Sequence, residues 1–274
     1  MSRFILETLD LVTEFTAPKR LLQKPRPGVR AVDGVSLQVR KGEVLGIVGE
    51  SGSGKSTLAK TILGLYRPTS GSILVDGAET PWRSRRQVRR ARGAIQYVHQ
   101  DPGAALDPWW SIGRTLDEAL VIHGNRDGAE RTRLIDRMLE AVGLTPAFRN
   151  RYPHELSGGQ QRRIGIARTL ILRPRIVILD EPTSGLDMSV QKTVLTLVHG
   201  IRQEFDLTYL FVSHDLSVVR NLCDRVAIMQ RGRVVETGET AAIFADPQHD
   251  YTRTLLAAAP TLQSGRLKGA KAAV

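Results

Sequence analysis

The sequence predicts an α/β fold built on a parallel, doubly wound sheet, with a β-rich lobe at its start and a helical insertion in its middle. Three observations lead there. An apolar run, "EVLGIVG", passes directly into the glycine-rich turn "GESGSGKST" and on into "KSTLAKTILGLY", whose apolar residues recur at helical spacing. From "RIVILDE" onward, through "TYLFVSHD", strand-like and helix-like stretches alternate, as successive strand-helix-strand units require. Between these halves, residues 111 to 172 lose β character and carry helical patterning.

Taken in order, "FILETLDLVTEF" and "AVDGVSLQV" read as strands on either side of a basic, proline-containing excursion, "TAPKRLLQKPRPGVR". "TSGSILVDG" reads as a hairpin and "GAIQYVHQ" as a strand. In the insertion, "IGRTLDEALVIHG", "GAERTRLIDRMLEAVG" and the run beginning "LSGGQQRR" are the expected helices, and the tail "GRLKGAKAAV" is expected to fray. The expected organisation is one domain over residues 1–274. Within it, 1–100 hold the β lobe and the phosphate-loop part of the core, 101–172 the insertion, 173–248 the rest of the core, and 249–274 a C-terminal helix and basic tail.

Composition sets the bounds on function. The 274 residues are 41% hydrophobic and 24% charged, an ordinary globular balance with enough chain for a substantial core. No run approaches the roughly 18 consecutive apolar residues of a membrane span, and "MSRFILETLD" alternates apolar with polar residues, so the chain is expected in the cytosol. One cysteine, Cys223, excludes an internal disulfide and a cysteine-built metal site, and its setting in "NLCDRVAIM" predicts a packed core thiol. The net charge of +11 would suit nucleic acid, anionic lipid or nucleotide, and charge alone does not choose among them. The basic run Arg83 to Arg92, "RSRRQVRRAR", has neither a stacking motif nor a recognition-helix pattern beside it. It is read as a solvated face near membrane headgroups, not a nucleic-acid site.

The phosphate chemistry is more specific. In "GESGSGKST", Gly49, Gly52 and Gly54 let the backbone, with Ser51, Ser53 and Thr57 in the same wrap, approach the β- and γ-oxygens of ATP closely. Lys55 supplies a cation at the β/γ bridge, and Ser56 can offer its hydroxyl to Mg2+. "IVILDEP" delivers two carboxylates at the end of an apolar strand: Asp180 for the magnesium shell and Glu181 to orient or deprotonate the attacking water. His214, ending the apolar strand of "FVSHD", can reach a γ-phosphate. Gln100 of "VHQD" stands where a strand meets the insertion and can sense the γ-phosphate or the metal. A second glycine turn, "LSGGQQRR", opens a basic helical run and so offers another anion site, which leaves open whose phosphate it holds.

The succession "GESGSGKST", "YVHQD", "LSGGQQRR", "IVILDEP", "SGLD" and "FVSHD" resembles the ATP-binding subunit of an ABC transporter, over nearly the whole chain. The resemblance implies a P-loop NTPase (RecA-like) core with an antiparallel β lobe and a helical insertion. It also answers the question of the second turn: two subunits close head to tail, and Ser157, Gly158, Gly159 and Gln160 of one hold the γ-phosphate bound to the other. Asp187 of "SGLD" would lie across the same interface, and Phe15 would stack on adenine. "RAVDGVSLQV", "RYPHELSGGQQRRIGIAR" and "ADPQHDYTRTLLAAAP" are similar to the oligopeptide, dipeptide and nickel importer branch, its second ATPase subunit above all. Two departures are Asp250, where the branch has proline, and Trp109 with Trp110, where it has a basic and a small apolar residue. The cysteines that hold an iron-sulfur cluster in some members are absent from the sequence. The implied partners are two integral membrane permease subunits, a second ATPase subunit, identical or homologous, and indirectly an extracytoplasmic solute-binding protein, with no nucleic acid. The implied place is the cytoplasmic face of the cell membrane. The alternatives are the ATPase of a soluble carbon-phosphorus lyase complex and a nickel importer.

Overall fold

A computed structural model describes residues 3–16, 28–80, 93–98 and 103–258. The body of the proline-containing excursion (17–27), the arginine run Arg83 to Arg92, Gln100 and the basic tail lie outside the described residues. The chain opens with β1 (Phe4–Phe15), β2 (Val29–Arg40) and β3 (Val44–Val48), followed by α1 (Lys55–Ile62), β4 (Ser70–Val75), β5 (Ala78–Glu79) and β6 (Ile95–Val98). The insertion contributes α2 (Ile112–Ile122), α3 (Gly128–Ala141), two short 3-10 turns and α4 (Gly158–Leu170). Then come β7 (Ile176–Asp180), α5 (Met188–Phe205), β8 (Thr208–Ser213), α6 (Leu216–Leu222), β9 (Arg225–Gln230), β10 (Arg233–Glu239), α7 (Thr240–Ala245) and α8 (Asp250–Ala257).

These strands form a four-stranded antiparallel sheet in the order β2-β1-β4-β5 and a six-stranded sheet in the order β10-β9-β3-β8-β7-β6. In the larger sheet β9, β3, β8, β7 and β6 run parallel, and β10 closes the edge antiparallel to β9. Strands covered on both faces have no need of polar alternation, which is why "VLGIV" and "IVILD" are buried throughout. Their side chains divide between two cores. Val44, Val48, Val177, Leu179, Tyr209 and Phe211 face the helical side, while Leu45, Ile47, Ile176, Ile178, Leu210 and Val212 face α1 and the β lobe. Gly46 lies against Cys223, where an added Cβ would come within 2.9 Å of Sγ. Cys223 is thus the packed thiol expected, and burial pushes its pKa up.

The insertion is held by an apolar stripe on each helix. Ile112, Leu116 and Leu120 line one face of α2, and Ile135, Met138 and Leu139 one face of α3. Ser111 accepts from the Arg114 N–H, and Asp127 from those of Ala129 and Glu130, so both helices begin with satisfied donors. From α4, Ile164, Ile166, Ala167 and Leu170 carry the insertion into the main core, immediately before β7.

Candidate nucleotide site

The site forms at the carboxyl ends of β3, β7 and β8, where a parallel sheet leaves a crevice beside the first turns of its helices. The loop leaving β3 is wound tightly enough to require glycine at both ends. A Cβ on Gly49 would lie 2.1 Å from the Met229 carbonyl oxygen, and one on Gly54 2.1 Å from that of Ala31. Gly54, at φ 104°, then caps α1. Lys55 is 5% exposed and donates from Nζ to the carbonyls of Gly49 and Glu50, at 2.8 Å each. Burial lowers its pKa, and the carboxylates of Glu181, Asp180 and Glu50 oppose that shift. Ser53 Oγ is buried and has no hydrogen-bond partner among the described residues, a polar atom for which a phosphate oxygen would be an apt acceptor.

Across the crevice, Ser56 donates to Asp180 Oδ1 at 3.0 Å, joining positions 124 residues apart. A hydroxyl and a carboxylate are the hard oxygen donors that suit Mg2+, which takes one or two protein ligands along with phosphates and water. Among the described residues, no cluster of three or more His, Cys, Asp and Glu side chains offers a dedicated metal cage. The other Asp180 oxygen is taken by Tyr97, whose hydroxyl donates at 2.6 Å. Burial, and then that bond, push the Tyr97 pKa upward and keep the phenol a donor. Nothing in the pattern of "IQYVHQ" marks this tyrosine. It becomes visible only when β6 is laid beside β7, with Tyr97 opposite Ile178.

Asp180 ends β7 in extended backbone, whereas Glu181 turns into the left-handed region at φ 50° while its N–H still bonds the Val212 carbonyl at 2.9 Å. The turn sends the adjacent carboxylates to different neighbours. Asp180 faces Ser56, and Glu181 Oε1 lies 3.1 Å from His214 Nδ1 at the end of β8. A carboxylate paired with an imidazole is suited to orienting a water and taking its proton.

The remaining predicted residues lie elsewhere. Ser157 caps α4 in a reciprocal box: Gln160 N–H donates to Ser157 Oγ at 3.3 Å, and Ser157 N–H to Gln160 Oε1 at 3.0 Å. Gly158 and Gly159 follow in helical geometry and are exposed, and among the described residues an added Cβ on either would meet nothing within 4 Å. Asp187 caps α5, accepting from Ser189 Oγ at 2.6 Å and from the N–H groups of Ser189 and Val190, and these bonds, Ser189 Oγ foremost, lower its pKa. Among the described residues no hydrogen bond joins Ser157–Gln160 to the loop of Gly49–Thr57. Phe15 is 43% exposed at the end of β1 and packs edge-to-face on Tyr66, with centroids 5.1 Å apart. Tyr66 is a second aromatic at that corner which the sequence did not single out.

A strand, a glycine loop opening a helix, and two divided carboxylates on a neighbouring strand define a nucleoside-triphosphatase of the P-loop class. A family model described as "ABC transporter" matches residues 32–184. The oligopeptide transport ATP-binding protein AppF of Bacillus subtilis (strain 168) is 45% identical over 96% of this chain and 81% of its own length. Among solved structures, cbiO1 from Clostridium perfringens, part of the ABC transporter complex cbiONQ, aligns with a TM-score of 0.77 at 29% identity, covering 89% of this chain and 92% of that one. The ATP-binding cassette MJ0796, in a dimeric post-hydrolysis state with ADP and Pi, aligns with a TM-score of 0.72 at 28% identity, covering 86% and 98%. The chain belongs to the ABC transporter family, as an ATP-binding and ATP-hydrolysing subunit.

Proposed function

We propose that this chain is the ATPase subunit of a membrane importer for peptides, acting at the cytoplasmic face of the membrane in a head-to-tail pair with an identical or homologous subunit. The peptide assignment rests on the likeness to AppF, an oligopeptide transport protein. Among the described residues no helix is long and apolar enough to cross a membrane, so the passage itself would belong to two permease subunits.

The observation that carries the pairing is the bare helix start at Gly158 and Gly159. Glycine inside a helix costs up to about 1 kcal/mol relative to alanine. Among the described residues nothing gives either position a steric reason for bearing that cost. Exposed N–H groups at the positive end of α4, unobstructed by side chains, suit close approach by the γ-phosphate held on the partner's loop. Each charge-assisted bond to phosphate contributes on the order of 1.5–3 kcal/mol, so ATP acts as interfacial glue. Closure would carry the permeases from inward- to outward-facing, and loss of the γ-phosphate would release them.

Within one site, Gly49–Thr57 cradle the phosphates, Lys55 moves from the loop carbonyls to the β/γ bridge, and Phe15 stacks on adenine. Mg2+, when bound, would be held by Ser56 and Asp180, with Gln100 a further candidate ligand, and would supply positive charge that offsets the charge developing on the phosphates. Glu181 takes the proton of the water that attacks the γ-phosphorus, the bond to the β-bridging oxygen breaks, and ADP and phosphate leave. His214 holds Glu181 and contacts the γ-phosphate.

Glu181→Gln keeps the shape and removes the base. It should lower turnover of the assembled transporter at least 100-fold while ATP binding survives and an ATP-bound dimer accumulates, seen by size-exclusion chromatography with ATP. Turnover like that of the wild type would refute the role.

A further inference from the structure

The last part of the chain reaches back to hold the phosphate loop at two points. The Glu50 N–H donates to the Tyr251 hydroxyl at 3.1 Å, a contact between residues 201 apart in sequence. Gly232, in the turn between β9 and β10, donates its N–H to the Ser53 carbonyl at 2.9 Å, while its own carbonyl accepts from the Asp33 N–H of β2. Both braces come from residues beyond the 32–184 stretch that the family model matches.

The phenol is delivered from a fixed seat. Tyr251 is 8% exposed and belongs to the main core. Glu236 of β10 accepts from the N–H groups of Gln248 at 2.8 Å and His249 at 3.1 Å, and His249 Nδ1 caps α8 by accepting from the Tyr251 N–H. The Glu50 backbone is therefore clamped on both sides, at its N–H by Tyr251 and at its carbonyl by Lys55. These two clamps differ in kind. Lys55 is the cation that a bound phosphate recruits, so its bond to Glu50 is exchanged on binding, whereas the Tyr251 bond needs no exchange. An anion cradle of backbone N–H groups draws its strength from being ordered before the ligand arrives.

We propose that Tyr251 is a positioning residue of the ATP site: its hydroxyl fixes the Glu50 N–H and preorganises the phosphate loop, which makes helix α8 a working part of that site. This rests on the reading of Gly49–Thr57 as the loop that binds ATP.

Tyr251→Phe in the full chain keeps the ring and deletes the acceptor. Equilibrium titration with a fluorescent ATP analogue should show Kd raised roughly 3- to 10-fold, the worth of one neutral hydrogen bond. In the assembled transporter the loss should appear in KM for ATP more than in kcat. Amide hydrogen exchange across residues 49–56 should quicken, which a purely structural role for the tyrosine would not cause once the variant melts like the wild type. Unchanged Kd and exchange in that folded variant overturn the proposal. Should the variant fail to fold, the wild type decides: by thermodynamic reciprocity, saturating MgADP should slow exchange across residues 250–257, and no slowing overturns it. Lys55→Ala is measured alongside. Undiminished affinity there would overturn the phosphate-loop reading itself, whereas loss with Lys55→Ala and none with Tyr251→Phe would overturn the brace alone.

Discussion

Tyr97 holds Asp180 from the side opposite Ser56, its hydroxyl on Oδ2 at 2.6 Å while the serine hydroxyl sits on Oδ1 at 3.0 Å. The carboxylate is thereby fixed on both oxygens before any ion arrives. Outer partners that orient a metal-binding carboxylate are commonly worth 10- to 100-fold in metal affinity. Tyr97→Phe should accordingly raise the Mg2+ concentration for half-maximal binding of a fluorescent ATP analogue on the order of 10-fold. Binding without Mg2+ should change little. An unmoved Mg2+ midpoint would show that the tyrosine serves packing only.

The second glycine turn, Ser157–Gln160, yields a test with opposite signs in two assays. Gly159→Ala places a Cβ in open space on a helix, so the isolated chain should gain about 0.4–1 kcal/mol, or roughly 1–4 °C in Tm. On the proposed head-to-tail pairing the same methyl group would intrude on the approach of a partner's phosphate, so ATP-driven dimerisation of a Glu181→Gln background should weaken. Ser157→Arg should block that dimerisation outright while nucleotide binding by the monomer stays intact. Equal loss of monomer binding would place the turn in its own chain's site.

Much of this site is legible in the sequence because its determinants are local. The apolar strand, the glycines that follow it and the helix they open are contiguous, so periodicity and spacing lead to the loop of Gly49–Thr57, and the same holds for "IVILDEP". The sequence assigns Asp180 and Glu181 different tasks, and in the structure the two carboxylates have different neighbours, Ser56 and His214. The three tyrosines were not legible. Tyr97 reaches Asp180 across 83 positions, Tyr251 reaches Glu50 across 201, and Tyr66 meets Phe15 only where β1 ends beside the chain that follows α1. An aromatic residue with a single polar atom carries no periodic signal, so its role depends wholly on which strand or helix becomes its neighbour. The cap roles of Ser157 and Asp187 were hidden for the opposite reason: their family motifs drew attention to a partner, while each also satisfies its own helix start.

The paired tryptophans of "LDPWWSIG" separate into different environments. Trp110 is half-buried, with the Arg114 guanidinium 4.0 Å from its ring centroid, whereas Trp109 is 85% exposed just before α2. A large aromatic in open solvent contributes little to the fold that carries it, and tryptophan is among the residues that dominate interfaces. Trp109→Ala should therefore leave Tm within about 1 °C, since exposed substitutions usually fall within ±0.5 kcal/mol. It should also leave ATP binding unchanged, while reducing co-purification with the permease subunits and loosening transport from hydrolysis. Trp110→Ala should show the reverse weighting. It removes a cation–π contact worth roughly 0.5–2 kcal/mol and part of a buried ring, so the isolated chain should melt several degrees earlier. If Trp109→Ala assembles and transports like the wild type, the exposed ring is not the anchor on which the membrane subunits seat.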